Sequence, residues 1–147
     1  MKLLPLLLAT LALAGCASTP VVPLPRTAAA SGGEVIIFRE WAFMAGGVSL
    51  AVGTGGGAFA SLGNSEKARV MFPPGARQIF VQARSAEPST VRVMVKQGAT
   101  VCLRTTASPS NPARFPMPME YDFYLDEVRC PSAAELARYK DVAVRYQ

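Results

Sequence analysis

Val91-Arg92-Val93-Met94-Val95-Lys96 decides the fold class of this chain. Valine takes every second position, and Arg, Met and Lys fill the places between. Side chains along a strand point alternately to opposite faces, so one apolar face with a period of two predicts a half-buried β-strand. The neighbouring segments repeat the pattern. C-terminal to it, Gln97-Gly98-Ala99 reads as a tight connection into Thr100–Thr105, with Val101 and Leu103 facing inward and Cys102 and Arg104 opposite. Residues 106–118 read as a Ser/Pro/Asn-rich loop. In the long strand Glu120–Val128 that follows, Tyr121, Phe123 and Leu125 alternate with Asp122, Tyr124 and Asp126. N-terminal to it, Arg77–Ala83 sets Ile79 and Val81 against Gln78, Phe80 and Gln82. Lys67–Phe72 stops at Pro73-Pro74-Gly75, where proline removes donors and glycine admits positive φ. Glu34–Arg39, Val48–Val52 and Ala58–Leu62 complete the set, separated by Gly46-Gly47, Thr54-Gly55-Gly56-Gly57 and Gly63-Asn64-Ser65. A single segment reads as a helix. Ser132 followed by Ala133, Ala134 and Glu135 is a capping box, predicting a helix over 133–140 with Leu136 and Tyr139 on one face. Asp141–Tyr146 reads as a last extended piece. The expectation is a mainly β protein: an antiparallel β-sandwich of about seven or eight short strands with one short C-terminal helix.

The first residues carry an address. Met1 and Lys2 precede an apolar run that ends Leu13-Ala14-Gly15-Cys16. A positive start, a short apolar stretch and a small-residue ending form an export signal, too short for a membrane span. The Cys after Leu-Ala-Gly resembles a bacterial lipobox, which implies cleavage after residue 15 and acylation of Cys16 by diacylglyceride and palmitate-type chains. Each buried CH₂ is worth roughly 0.8 kcal/mol, so two or three chains hold firmly. No Asp follows Cys16. By resemblance to enterobacterial sorting signals, that implies the inner leaflet of the outer membrane, facing the periplasm. Residues 16–33 hold Pro20, Pro23, Pro25 and Ser31-Gly32-Gly33 and read as a flexible tether. The expected organisation is a signal peptide at 1–15, the lipidated Cys and tether at 16–33, and one domain at 34–147.

Composition excludes several chemistries. The chain has no His, which removes Ser-His-Asp and Cys-His nucleophile systems and every His-ligated zinc site. Of fifteen Lys and Arg, only Lys2 lies in the signal, which leaves a mild excess over ten Asp and Glu. The basic residues are scattered through strands, so nucleic acid is not an expected partner. Three Cys are present. With Cys16 acylated, Cys102 and Cys130 form an even pair in an oxidising compartment, and one disulfide is expected.

From Ile36-Ile37-Phe38-Arg39 to about Val128 the chain resembles the DUF2846-type bacterial lipoproteins, and more loosely the PEGA-like β-sandwich modules. The matching pieces are Val48–Leu62, then Phe72-Pro73-Pro74-Gly75, then Arg77-Gln78-Ile79-Phe80-Val81, then Val93 to Gly98. Two features depart from the pattern. Thr54-Gly55-Gly56-Gly57 stands for an Asp-Gly turn, and Arg77 and Gln78 stand where a His is often found. The resemblance implies a β-sandwich and an envelope location, and it supplies no catalytic residues.

No reaction is legible. Asp122 and Asp126 share a strand face, but four strand residues span roughly 13 Å, beyond the roughly 5–9 Å of paired glycosidase carboxylates. The Gly-rich stretch 53–57 lacks the Lys-Ser/Thr ending and helix of a phosphate loop. No metal and no cofactor is expected. Trp41, Phe43 and Met44, with Phe115, Met117 and Met119, read first as caps on the ends of the sandwich core and second as a candidate partner surface, since aromatic residues and Met are enriched at interface centres. The expected role is a non-enzymatic protein-binding or scaffolding domain, held at the membrane through Cys16, with an envelope protein as partner. The alternative is a cell-wall glycan-binding protein or small periplasmic hydrolase, with peptidoglycan as partner. It requires a cleft where Asp122, Tyr121 and Tyr124 converge.

Overall fold

A computed structural model describes residues 19–84, 86–110 and 120–147. The described chain forms a two-layer β-sandwich. The strands are β1 (Gly33–Arg39), β2 (Leu50–Thr54), β3 (Gly57–Leu62), β4 (Glu66–Phe72), β5 (Gly75–Ala83), β6 (Ser89–Val95), β7 (Thr100–Pro109), β8 (Tyr121–Val128) and β9 (Lys140–Asp141). One sheet has the order β8-β7-β1-β4-β9 and the other β3-β2-β5-β6. The sandwich and its single short helix are as the sequence predicts, and the two-residue β9 brings the strands to nine.

The larger sheet departs from a purely antiparallel arrangement. β1 runs antiparallel to β4, Val35 opposite Val70, but parallel to β7, Ile37 opposite Leu103. β9 also lies parallel to β4. The run Val35-Ile36-Ile37-Phe38 explains the position of β1. It is apolar in both phases of the alternation, which suits a strand covered on both faces. Val35 and Ile37 face the other sheet and join the main core with Leu50, Phe59, Val81 and Leu103. Ile36 and Phe38 face outward and are buried as well, in a second cluster with Cys102 and Leu136.

That outer cover is the segment after β8. Helix α1 spans Ala133–Leu136, shorter than the expected 133–140. Its capping box forms as the sequence predicts: the Ser132 hydroxyl accepts from the Glu135 backbone, and the Glu135 carboxylate accepts from Ser132 N at 2.8 Å. These bonds from the Ser132 side chain and backbone hold the Glu135 carboxyl below its ordinary range. The cap is therefore complete at neutral pH and is lost as pH falls through that lowered value. Tyr139 meets Phe38 edge-on, with ring centres 5.2 Å apart. The sulfur atoms of Cys102 and Cys130 lie at bonding distance, with Cα atoms 5.0 Å apart. The expected pairing joins β7 to the covering segment.

Two boundaries moved for physical reasons. β2 starts at Leu50 instead of Val48, because the Val48 carbonyl accepts from the Arg39 guanidinium. β7 continues to Pro109, because residues 106–109 pair with Tyr121–Tyr124 of β8.

The expected tether is docked from its fourth residue onward. Ala58 N donates to Pro20 O at 2.8 Å, and Val22 N donates to Ala58 O at 2.9 Å. Leu24 N donates to Arg145 O, Gln147 N donates to Leu24 O, and the Arg26 guanidinium lies 4.9 Å from the Tyr146 ring centre. Leu24 itself is buried in the main core. Leu24 supplies a buried apolar contact that a Pro/Ser/Ala count conceals, and the backbone bonds of Pro20 and Val22 to Ala58 hold the segment to the edge of β3. Leu24→Ala is expected to lower stability by about 2–3 kcal/mol, the cost of emptying a core position at the edge. A free tether would show no change in the urea midpoint.

Candidate functional site

Loop 40–49 crosses from β1 to β2 at one end of the sandwich. It presents Trp41, Phe43 and Met44, which are 67 %, 87 % and 44 % exposed. Three expected partner-surface residues are therefore together on one tip. Phe115, Met117 and Met119 lie outside the described residues, and so does Cys16.

The tip is held from beneath. The alternation Val35, Ile37, Arg39 places a charged side chain on the inward face of β1, and Arg39 is 2 % exposed. Its two terminal nitrogens donate to the carbonyls of Ala45 and Val48, and its guanidinium lies 5.3 Å from the Phe123 ring centre. Burial pushes its pKa down from the usual arginine value, and the Glu66 carboxylate opposes that shift. An arginine starts from so high a value that it stays charged. Its planar fork adds a charged donor to the Ala45 carbonyl, which also accepts from Val48 N at 3.1 Å, and supplies a donor to the Val48 carbonyl.

Asn64 clamps the same loop from the β3–β4 turn. Its Oδ1 accepts from Ala42 N at 2.9 Å, and its Nδ2 donates to Ala42 O at 3.1 Å. The side chain thus acts as a short strand partner to Ala42. Gly46 makes room for it: a Cβ there would stand 2.7 Å from Ala42 O and 3.0 Å from Asn64 Nδ2. Ala45 takes φ of 60°, the left-handed region that costs a residue with a Cβ. A tip fixed at three points with its apolar side chains in water is preorganised for contact.

Two depressions flank the tip. One, about 370 Å³ in volume, is lined by Trp41, Glu40, Arg104, Arg138 and Tyr139. Arg104 Nη1 stands 3.7 Å from Glu40, while its Nε is buried without a hydrogen-bond partner. Burial, reinforced by Glu40, raises the Tyr139 pKa above the ordinary phenol value. The other, about 770 Å³ in volume, is an open hollow that brings Tyr121, Asp122 and Tyr124 together with Glu87, Glu120 and Arg84. Among the described residues, no group of three or more His, Cys, Asp or Glu is placed to hold a metal ion. None of their helices is long and apolar enough to cross a membrane.

Sequence reading found the tip and missed its supports. Arg39 leaves a trace in the sequence, because a charge interrupts an inward apolar face. Asn64 leaves none, since Gly63-Asn64-Ser65 reads equally well as an ordinary turn.

Comparison of this chain with protein-family models, with curated proteins and with solved structures found no match.

Proposed function

We propose that this protein is an outer-membrane-anchored envelope lipoprotein whose single domain works by binding and scaffolding, without catalysis. The observation that carries the reading is the tip. Trp41, Phe43 and Met44 are exposed, adjacent and rigidly supported, and exposed apolar surface of that kind marks an element that docks on a protein or on a membrane. Residues 1–16 support the address, since their pattern is that of a lipidated export signal. The likeness of residues 36–128 to DUF2846-type lipoproteins points the same way. Anchoring through Cys16 confines the domain to the membrane surface and raises its effective concentration beside an envelope protein. The docked segment that starts at Thr19 keeps the domain close to that surface.

A second reading keeps one observation in its favour. The hollow that gathers Tyr121, Asp122 and Tyr124 is the cleft that a wall-glycan binder or small hydrolase would need. In-cell crosslinking of the full-length protein, followed by mass spectrometry, separates the two. Scaffolding predicts one dominant envelope protein partner that is lost in Cys16→Ser. Adducts dominated by peptidoglycan would overturn it in favour of the glycan reading.

A further inference from the structure

We propose that the Trp41–Phe43–Met44 tip inserts into the interface of the bilayer that holds the lipid anchor, so that the domain rests on the membrane in one fixed orientation. The inference rests on acylation of Cys16 and names the occupant of the tip: a phospholipid surface. Any protein partner of the scaffold then engages the faces left above the membrane.

The geometry begins at Thr19. Its hydroxyl shares a 2.9 Å hydrogen bond with the Gln82 side chain, and Gln82 Nε2 donates to Ala86 O at 2.8 Å. Gln82 is the penultimate residue of β5, next to the β5–β6 loop. Thr19 also lines one hollow with Ser49, Arg84 and Ala86. Ser49 closes loop 40–49, and β2 enters from it opposite the end of β5, with Leu50 paired to Ala83. The chain thus departs toward Cys16 from the same end of the sandwich that carries the tip.

Reach fixes the rest. Two residues, Ala17 and Ser18, lie between Cys16 and Thr19, and an extended chain spans roughly 10 Å over those three steps. With Pro20, Val22 and Leu24 bonded to the domain, little slack remains between acyl chains and protein. The loop end must lie against the headgroups. Residues that meet a bilayer there should be aromatic or flexible and apolar, because amphipathic rings favour the headgroup level. Trp41, Phe43 and Met44 fit that demand, and their supports spare them an ordering cost on insertion. Charge does not drive the contact, because Arg84, Arg104, Arg129 and Arg138 in the hollows beside the tip are matched by Glu40, Glu87, Glu120, Asp122 and Glu135. Vesicle binding by the tip is therefore expected to be insensitive to salt.

Trp41 is the single tryptophan of the chain, so its fluorescence reports the tip alone. The test uses the native protein, purified from its membranes and placed in phosphatidylethanolamine/phosphatidylglycerol vesicles with brominated acyl chains. Insertion predicts blue-shifted emission, quenching by the bromines and no response to an aqueous quencher. Phe43→Ser and Met44→Ser, at exposed positions that leave the fold intact, should each reduce the lipid response. For Phe43→Ser the loss is roughly tenfold in partitioning. The mass of the N-terminal peptide decides acylation separately. An acylated protein whose Trp41 is not quenched by lipid overturns insertion and leaves the anchor standing. An unacylated protein removes the anchored reading and overturns this inference with it. Shielding of Trp41 by an envelope protein alone, with no quenching in lipid, overturns insertion in favour of a protein occupant.

Discussion

Removing the Cys102–Cys130 bond, by Cys102→Ala with Cys130→Ala, is expected to lower the free energy of unfolding by roughly 2–4 kcal/mol. Two effects combine. The bond closes a loop with a sequence separation of 28 residues, and opening it restores freedom to the unfolded chain. It also fastens the covering segment over Ile36 and Phe38. Helix α1 is one turn long and cannot hold itself, since isolated short helices are marginal in water. Without the bond, that segment depends on Leu136, on the Phe38–Tyr139 ring contact and on the buried Lys67, which pairs with Asp141 at 3.1 Å. Hydrogen exchange in residues 130–139 should accelerate more than exchange in β2 and β5. Urea unfolding measures the global loss, and an unchanged midpoint would show that the cover is stable unaided.

Arg39→Met is expected to destabilise by about 2–4 kcal/mol, although methionine fills much of the same space. The loss comes from the carbonyls of Ala45 and Val48, which would remain turned inward without their charged donor. Loop 40–49 would have to rearrange to hydrate them, which moves the tip. Arg39→Lys should fall between, because an ammonium keeps the charge but cannot span both carbonyls as a planar fork does. The telling measurement is hydrogen exchange at residues 42–48 together with the anisotropy of Trp41. Both should report loosening in Arg39→Met at urea concentrations well below global unfolding. A uniform loss of stability with an unaltered tip would assign Arg39 to the core alone.

The alternation of Val91, Val93 and Val95 made the sandwich legible, and so did the proline and glycine breaks between strands. Ser132 and Glu135 announced the helix start because a capping box is local chemistry. Its stop was less legible. Leu136 and Tyr139 keep a helical spacing, yet the chain turns after Leu136 to bring Lys140 and Asp141 beside β4, a tertiary pairing with no local signal. The parallel pairing of β1 with β7 is hidden for the same reason, since strand neighbours are chosen by the whole chain. Trp41, Phe43 and Met44 were legible as apolar residues in a glycine-bounded turn, but their exposure was not, because such residues serve equally well to cap the end of a core. Their supports were not, because a side chain that bonds distant backbone, as Asn64 does to Ala42, has no sequence pattern of its own. The tether was misread at Leu24, where one apolar residue among prolines and alanines finds the core.

The bonds from Leu24 to Arg145 and Gln147 join the two extremities of the described chain. Contacts so far apart in sequence form late, because the loop they close must first be restrained by everything between. The edge of the core around Leu24 therefore stays open until residues 142–147 arrive. In a chain synthesised from its N-terminus, Leu24 meets these partners more than a hundred residues later. Under the export proposed above, this order of pairing would act as a timing device written into topology. The segment around Leu24 waits, unpaired, for residues 142–147.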